Sequence, residues 1–438
     1  MLIFYSDRYN VNKLPADLRA FLTSKGVIVQ DDIFIHFVGL VYFKGKPYIF
    51  LPRNSDVNNL QKYSISEKEK IARELMFSIN IYQQSKKNSI DNRDNGEGFI
   101  GEENLTLIIS LLEDFNLNGL YKRRSKRKVY NAGKISWKKT IHSFQPYPSD
   151  NSLFYLEYEG VSKRIELDSE ISKIHAGIIS DISKNLGWLT YSDLAYYENE
   201  LSLIERSELS TENQLVITKK ELDTIYSERD IYLLKSIRKY IKKSSGYDKS
   251  DIIIGIREFH GMWEYILGSI FNNREKINSK LAAPVYKISG EFILAPLRGQ
   301  RTDIVIKIHD NYFIIDAKYY EASNANNAPS LSDIIKQFYY VKSLGLVEKD
   351  AKKITNIFIF PGQKGKIESI HMALKEENNN SNIIKTLDEH YPPIFCIYKD
   401  PITLINFYAN GKKINFIFPD DMNIDSSEND AQILNTKL

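Results

Sequence analysis

Arg301-Thr302-Asp303-Ile304-Val305-Ile306, followed shortly by Tyr312-Phe313-Ile314-Ile315-Asp316-Ala317-Lys318, is the stretch whose reading decides the fold. Ile304 to Ile308 and Tyr312 to Ile315 are dense in β-branched and aromatic residues, and His309-Asp310-Asn311 between them has turn chemistry, so the spacing predicts a β-hairpin. With Asp310 and Asn311 as a two-residue loop, Asp303 stands opposite Lys318 and Val305 opposite Asp316. Side chains alternate along a strand, so Asp303, Asp316 and Lys318 share one face while Ala317 points the other way. A one-residue slip would turn Asp303 away from the other two, so the reading depends on how the hairpin closes.

Three ionisable groups on apolar strands are costly unless something pairs them, because a desolvated charge without a partner costs several kcal/mol. A divalent cation resolves that cost. Mg²⁺ prefers oxygen ligands and is commonly held by one or two carboxylates plus phosphate oxygens, which suits Asp303 and Asp316. Lys318 beside them is placed to stabilise charge on a phosphate, or to orient and deprotonate an attacking water. The same residues also read as a structural ion pair at a strand end, in a DNA-binding or assembly protein that catalyses nothing.

Asp303 with Asp316-Ala317-Lys318 resembles the PD-(D/E)XK nuclease superfamily, with Thr302 where a Pro often precedes the first Asp. The resemblance implies a C-terminal core with a mixed central sheet flanked by helices. Met262 to Phe271 reads as an amphipathic helix carrying Glu264, and Asp333 to Tyr340 as a following helix carrying Gln337 and Tyr340. It implies Asp303, Asp316, the Ala317 carbonyl and Glu264 as metal ligands, with Lys318 and Gln337 joining Asp303, Asp316 and Glu264 in catalysis. Mg²⁺ is the implied cofactor, with Mn²⁺ as its substitute, and the product carries a 5′-phosphate.

A narrower resemblance covers more of the chain. Phe37-Val38-Gly39-Leu40-Val41-Tyr42 running on to Tyr48-Ile49-Phe50-Leu51-Pro52-Arg53, then Gly133-Lys134-Ile135-Ser136-Trp137-Lys138-Lys139-Thr140-Ile141, and Asp316-Ala317-Lys318-Tyr319-Tyr320 are similar to the LlaJI family of restriction endonucleases. That family resembles McrC in role. It implies cleavage of double-stranded DNA in a restriction-modification system, beside an McrB-like AAA+ GTPase and a cognate methyltransferase, with modified DNA as the alternative target. A dimer or larger assembly is expected, since cutting a duplex needs two sites or two successive nicks. No P-loop is present to bind a nucleotide: Gly362-Gln363-Lys364-Gly365-Lys366-Ile367 lacks the spacing and the terminal hydroxyl.

Composition places further limits. At 438 residues, 42% hydrophobic and 26% charged, the chain can build more than one core. It has no apolar run near the roughly 18 residues of a membrane span, and Met1 to Arg8 lacks the pattern of a cleaved signal, so a cytoplasmic protein is expected. A single Cys396 excludes an internal disulfide and a cysteine-based zinc site. Net charge is only +3, so local clustering matters more than the total. Lys122, Arg123, Arg124, Lys126, Arg127 and Lys128, continuing through Lys134, Trp137, Lys138 and Lys139, form the expected DNA-binding stretch. A solvated loop, or a surface for an acidic protein, is the other reading of it.

The expected class is α/β to α+β and multidomain. Residues 1–150 form an N-terminal α+β module for DNA recognition or partner binding, 151–249 a mixed connector, 250–415 the nuclease domain and 416–438 a mobile polar tail. Expected elements include a helix from Ser64 to Gln84, an exposed loop from Gln83 to Asn104, and strands at Leu153 to Tyr158, Ile354 to Phe360, Ile394 to Tyr398 and Ile402 to Tyr408.

Overall fold

The structure is a computed structural model, and it describes residues 2–29, 31–88, 98–149, 152–166, 168–189, 201, 204–244, 251–375 and 384–418. It is a mixed α/β protein with several separate sheets. The chain divides into two compact units, one of Met1–Leu40, Tyr48–Ile100 and Gly255–Leu438, the other of Val41–Pro47 and Gly101–Ile254. This division cuts across the linear boundaries at 150 and 249, because N-terminal residues pack in the same unit as residues beyond 255. Among the described residues no helix is long and apolar enough to cross a membrane.

In the first unit, a five-stranded sheet runs in the order Ile304–Ile308, Asn311–Ala317, Lys353–Pro361, Ile394–Lys399, Ser369–Ile370. The first pair is antiparallel, the two central pairings are parallel, and the edge strand returns antiparallel. Ile304, Val305, Ile306, Phe313, Ile314 and Ile315 are all buried. Strands covered on both faces read as continuous apolar runs, which is why this stretch shows so little alternation. One face carries Val305, Tyr312 and Ile314 against Ile277, Leu281 and Leu344. On the other, Phe313 packs against Phe416 and Phe418, with ring centroids 5.4 and 5.7 Å away. Those two phenylalanines belong to the segment expected to be a mobile tail; they are buried instead, and the rest of it, 419–438, lies outside the described residues.

The hairpin closes one residue earlier than expected. His309 and Asp310 form its loop, Ile308 pairs with Asn311 and Ile304 with Ile315. His309 adopts the left-handed conformation, φ 54°, and Asp310 is occupied outside the ladder. Its carbonyl accepts from Lys352 N at 2.9 Å and its carboxylate pairs with Lys352 Nζ at 2.8 Å. Asn311 is thereby free to join the strand opposite Lys353. Moving the loop by one residue changes cross-strand partners by two positions, so every side chain keeps its face. Extending the observed register by one residue sets Asp303 opposite Asp316, not opposite Lys318.

Three other expectations change. Ile402 to Tyr408 lies in a helix, Pro401–Ala409, not a strand: Asp400 caps it by accepting from Thr403 N at 2.9 Å, and Pro401 occupies the first turn. The expected loop from Gln83 to Asn104 is shorter, since helices Ile65–Asn88 and Glu102–Asn118 enter it from both sides; 89–97 lie outside the described residues. Leu153 to Tyr158 is a strand only over Ser152–Phe154.

The second unit holds the basic stretch. Arg123–Tyr130 is a strand, not a loop, paired antiparallel with Glu159–Glu166, which also pairs with Lys134–Ile135. Gly133 makes the turn at φ +71°, and a Cβ at Gly160 would meet Ala132 O at 1.8 Å, so both glycines are required by close backbone approach.

Candidate active site

The Asp316 strand ends at Ala317, and the Leu331–Val347 helix lies over the face that Asp316 shares with Ile314. This helix begins with a capping box in which Ser330 Oγ accepts from Asp333 N and the Asp333 carboxylate accepts from Ser330 N. That fixes Asp333 at the helix mouth, where its Oδ1 accepts a hydrogen bond from Lys318 Nζ at 2.8 Å. Lys318 Nζ is also 2.7 Å from Asp316 Oδ2, in an ion pair. The ammonium therefore sits between two carboxylates, with the Phe358 ring 5.7 Å away. Burial alone would lower its pKa; Asp316 and Asp333 outweigh that and raise it, so Lys318 is held protonated.

Asp303 lies just before the first hairpin strand, and its Oδ2 accepts from Ala317 N at 2.9 Å. Burial, then the charges of Asp316 and Glu264, push its carboxyl up to about 7. Asp316 is raised as well, again by burial first, with Lys318 pulling against it. Two carboxylic groups close together resist holding two negative charges, and the Asp316 charge raises Asp303's hold on a proton. Glu264, on the His260–Ile270 helix, is solvent-exposed and acts on Asp303 through its charge. Among the described residues no three His, Cys, Asp or Glu side chains gather as a metal cluster. Asp303 and Asp316 form a pair, a number of carboxylates that Mg²⁺ commonly uses.

Gln337 is fully buried, and among the described residues neither its Oε1 nor its Nε2 has a hydrogen-bond partner. Leaving a buried amide unpaired costs about 1–3 kcal/mol. Gln337→Leu is therefore expected to raise the unfolding midpoint in urea, which chemical denaturation would show. Tyr340, on the same face of the helix, donates its hydroxyl to Arg301 O at 2.8 Å. Burial, then the charges of Asp316 and Asp303, raises its pKa, which places it beside both carboxylates.

Nothing in the sequence alone marks Asp333 or Arg274 as part of this site. Ser330-Leu331-Ser332-Asp333 reads as a helix cap, which it is, and nothing local shows that the cap also reaches Lys318. Arg274 donates to Gly268 O at 3.1 Å and to Asp303 O at 3.2 Å, tying the Glu264 helix to Asp303.

The expected DNA-binding residues lie in the second unit. Arg123 pairs with Glu221 at 3.1 Å and Glu166 at 3.7 Å, while Lys128 and Lys139 both pair with Glu159, at 3.0 and 3.2 Å. Burial would raise the Glu159 carboxyl, but those two lysines outweigh it and hold it below its ordinary value. Lys122, Arg124, Arg127, Lys134, Trp137 and Lys138 are exposed, and the side chain of Lys126 lies outside the described residues. In the Gly133 to Ile141 block, Gly133 serves the turn, and buried Thr140 accepts from Glu159 N at 3.2 Å. Lys134, Trp137, Lys138, Lys139 and Ile141 are its exposed side chains.

No curated protein matches the chain in sequence. Among solved structures, one described as a refined half-complex from the tetradecameric assembly of Thermococcus gammatolerans McrB AAA+ hexamers with bound McrC is similar over 94% of this chain and 99% of its own, at 11% identity and a TM-score of 0.38. A family profile described as LlaJI restriction endonuclease matches residues 37–374, which includes Asp303, Asp316, Lys318 and the Gly133 to Ile141 block. The chain belongs to the LlaJI restriction endonuclease family, and is thereby a restriction-type DNA nuclease.

Proposed function

We propose that the chain is a metal-dependent endonuclease with a PD-(D/E)XK core at Asp303, Asp316, Ala317 and Lys318, hydrolysing phosphodiester bonds of double-stranded DNA. The observation that carries this reading is the pair of partly buried carboxylates opposed across one hairpin, both raised in pKa, with a protonated lysine beside them. Such a pair is unfavourable as an end in itself. It fits Mg²⁺, with Asp303 and Asp316 as ligands and Mn²⁺ as a substitute. Ala317 N–H faces Asp303, and in an extended strand the carbonyl of a residue faces the same side as its N–H, so Ala317 O is on hand as a further ligand. When bound, the ion supplies Lewis-acid polarisation of the phosphate and lowers the pKa of water.

The chain's own residues do the rest. Lys318 remains an ammonium between Asp316 and Asp333, which suits it to neutralise charge growing on a phosphate oxygen and not to accept a proton. Glu264 is assigned to orient the attacking water, and Gln337 offers a buried amide without a hydrogen-bond partner among the described residues. Water attacks phosphorus in line, the bond to the 3′ oxygen breaks, and that oxygen leaves with a proton while the new strand end keeps a 5′-phosphate. The exposed basic residues of the second unit are assigned to DNA or to a partner.

Incubating the purified chain with duplex DNA in Mg²⁺ and in EDTA tests this directly. Cleavage in Mg²⁺ alone is expected, and equal cleavage in both would refute metal dependence. If activity appears only with modified DNA and a GTPase partner, the McrC-like role is the right form of this reading. A cognate methyltransferase and a dimeric or larger assembly follow from the same restriction role.

A further inference from the structure

The segment between the Glu264 helix and Asp303 forms one wall of a cavity. It is pinned to the first hairpin strand by backbone bonds, Glu275 N to Val305 O at 2.8 Å and Lys307 N to Asn273 O at 3.1 Å. Asn278 matches Thr302 at both backbone groups: its Oδ1 accepts from Thr302 N at 2.9 Å and from Thr302 Oγ1 at 2.8 Å, and its Nδ2 donates to Thr302 O at 2.9 Å. Arg274 is stretched between Gly268 O and Asp303 O. Gly268 is needed for that stretch, since a Cβ there would come within 2.9 Å of Arg274 Nη1. Together these contacts frame a cavity of about 280 Å³ that reaches Asp303 itself and is lined also by Arg274, Lys276, Asn278, Ser279 and Thr302.

We propose that this cavity seats a DNA backbone phosphate beside the one that is cleaved, bound by Arg274 and Lys276. The inference rests on Asp303 belonging to the cleavage centre. Arg274 spends two N–H groups on carbonyls and, having five, keeps others for a phosphate, for which its planar fork is suited. Lys276 adds an exposed ammonium on a segment whose backbone is already tied down, so little ordering entropy is lost when a phosphate arrives. Glu275 and Asp303 line the same cavity and oppose an anion. Phosphate binding there is therefore expected to strengthen when the Asp303 charge is offset by a divalent cation, and Ca²⁺ is the probe of choice because binding is read without relying on cleavage.

Fluorescence anisotropy of a labelled duplex, titrated at several salt concentrations with Ca²⁺ or EDTA, tests the assignment. Lys276→Ala is expected to weaken binding in Ca²⁺ about five- to tenfold near 0.1 M salt and to lower the slope of log affinity against log salt by about one, as loss of one phosphate contact should. Gly268→Ala favours the helix but pushes the flexible tip of Arg274 aside, so it is expected to fold and to weaken binding without removing a charge. If both variants bind with parental affinity and slope while the parent cleaves DNA, the subsite is wrong and the proposed function stands. A parent that neither binds nor cleaves duplex DNA, unmodified or modified and with a GTPase partner supplied, would overturn the proposed function and this inference together.

Discussion

Lys318→Met is expected to lower the single-turnover rate of DNA cleavage by a factor on the order of 10²–10³, the usual cost of removing one preorganised charge from a reacting centre. The substitution keeps an unbranched side chain and removes the ammonium that sits 5.7 Å from the Phe358 ring centroid. Asp316 and Asp333, which now share that charge at 2.7 and 2.8 Å, would be left facing each other across the space it filled. Asp316, the more buried of the two, would respond by holding a proton, and a protonated carboxyl is a poor ligand for a divalent cation. The variant is thus expected to bind metal more weakly as well as to turn over more slowly. Parental cleavage by Lys318→Met, with contaminating nuclease excluded, would show that the lysine is only a strut between two acids.

The second large effect is on pH dependence. The Asp303 carboxyl, ordinarily near 3.8, is pushed up to about 7 by burial, Asp316 and Glu264. Between these values the folded protein binds more protons than the unfolded chain. Stability from this group is therefore fully present below pH 4 and is lost as pH rises towards 7. A cation binds the ionised form, so its affinity should move the opposite way, rising about tenfold between pH 6 and pH 8 for release of one proton. The stabilisation conferred by Mg²⁺ should accordingly be larger at pH 8 than at pH 6, which thermal melts at the two pH values would show. An Mg²⁺ shift independent of pH would place the ion elsewhere.

The hairpin and its chemistry were legible because strand alternation is insensitive to a one-residue error in loop placement. The expected loop was Asp310-Asn311 and the observed one is His309-Asp310, yet Asp303 and Asp316 share a face in both. What no local pattern shows is the pairing of Asp310 with Lys352, which decides the loop from a distant part of the chain. The same limit explains Asp333, whose sequence context is a helix cap, and Arg274, which gains meaning only from where Gly268 and Asp303 come to lie. It also bears on the basic stretch: Arg123, Lys128 and Lys139 look available until Glu159 and Glu221 are brought beside them. The β-branched and aromatic residues of Ile402 to Tyr408 suit a strand, whereas the Asp400-Pro401 start and its cap decide for a helix.

The account stands or falls on Asp303 and Asp316 acting together as a metal pair. Isothermal titration of Mn²⁺ into the parent chain and into Asp303→Asn/Asp316→Asn at pH 8 measures this without depending on a DNA target. The parent is expected to bind the ion at a site that the double variant lacks, with the variant otherwise folded and no less stable in metal-free buffer. Undiminished Mn²⁺ binding by the double variant would contradict it.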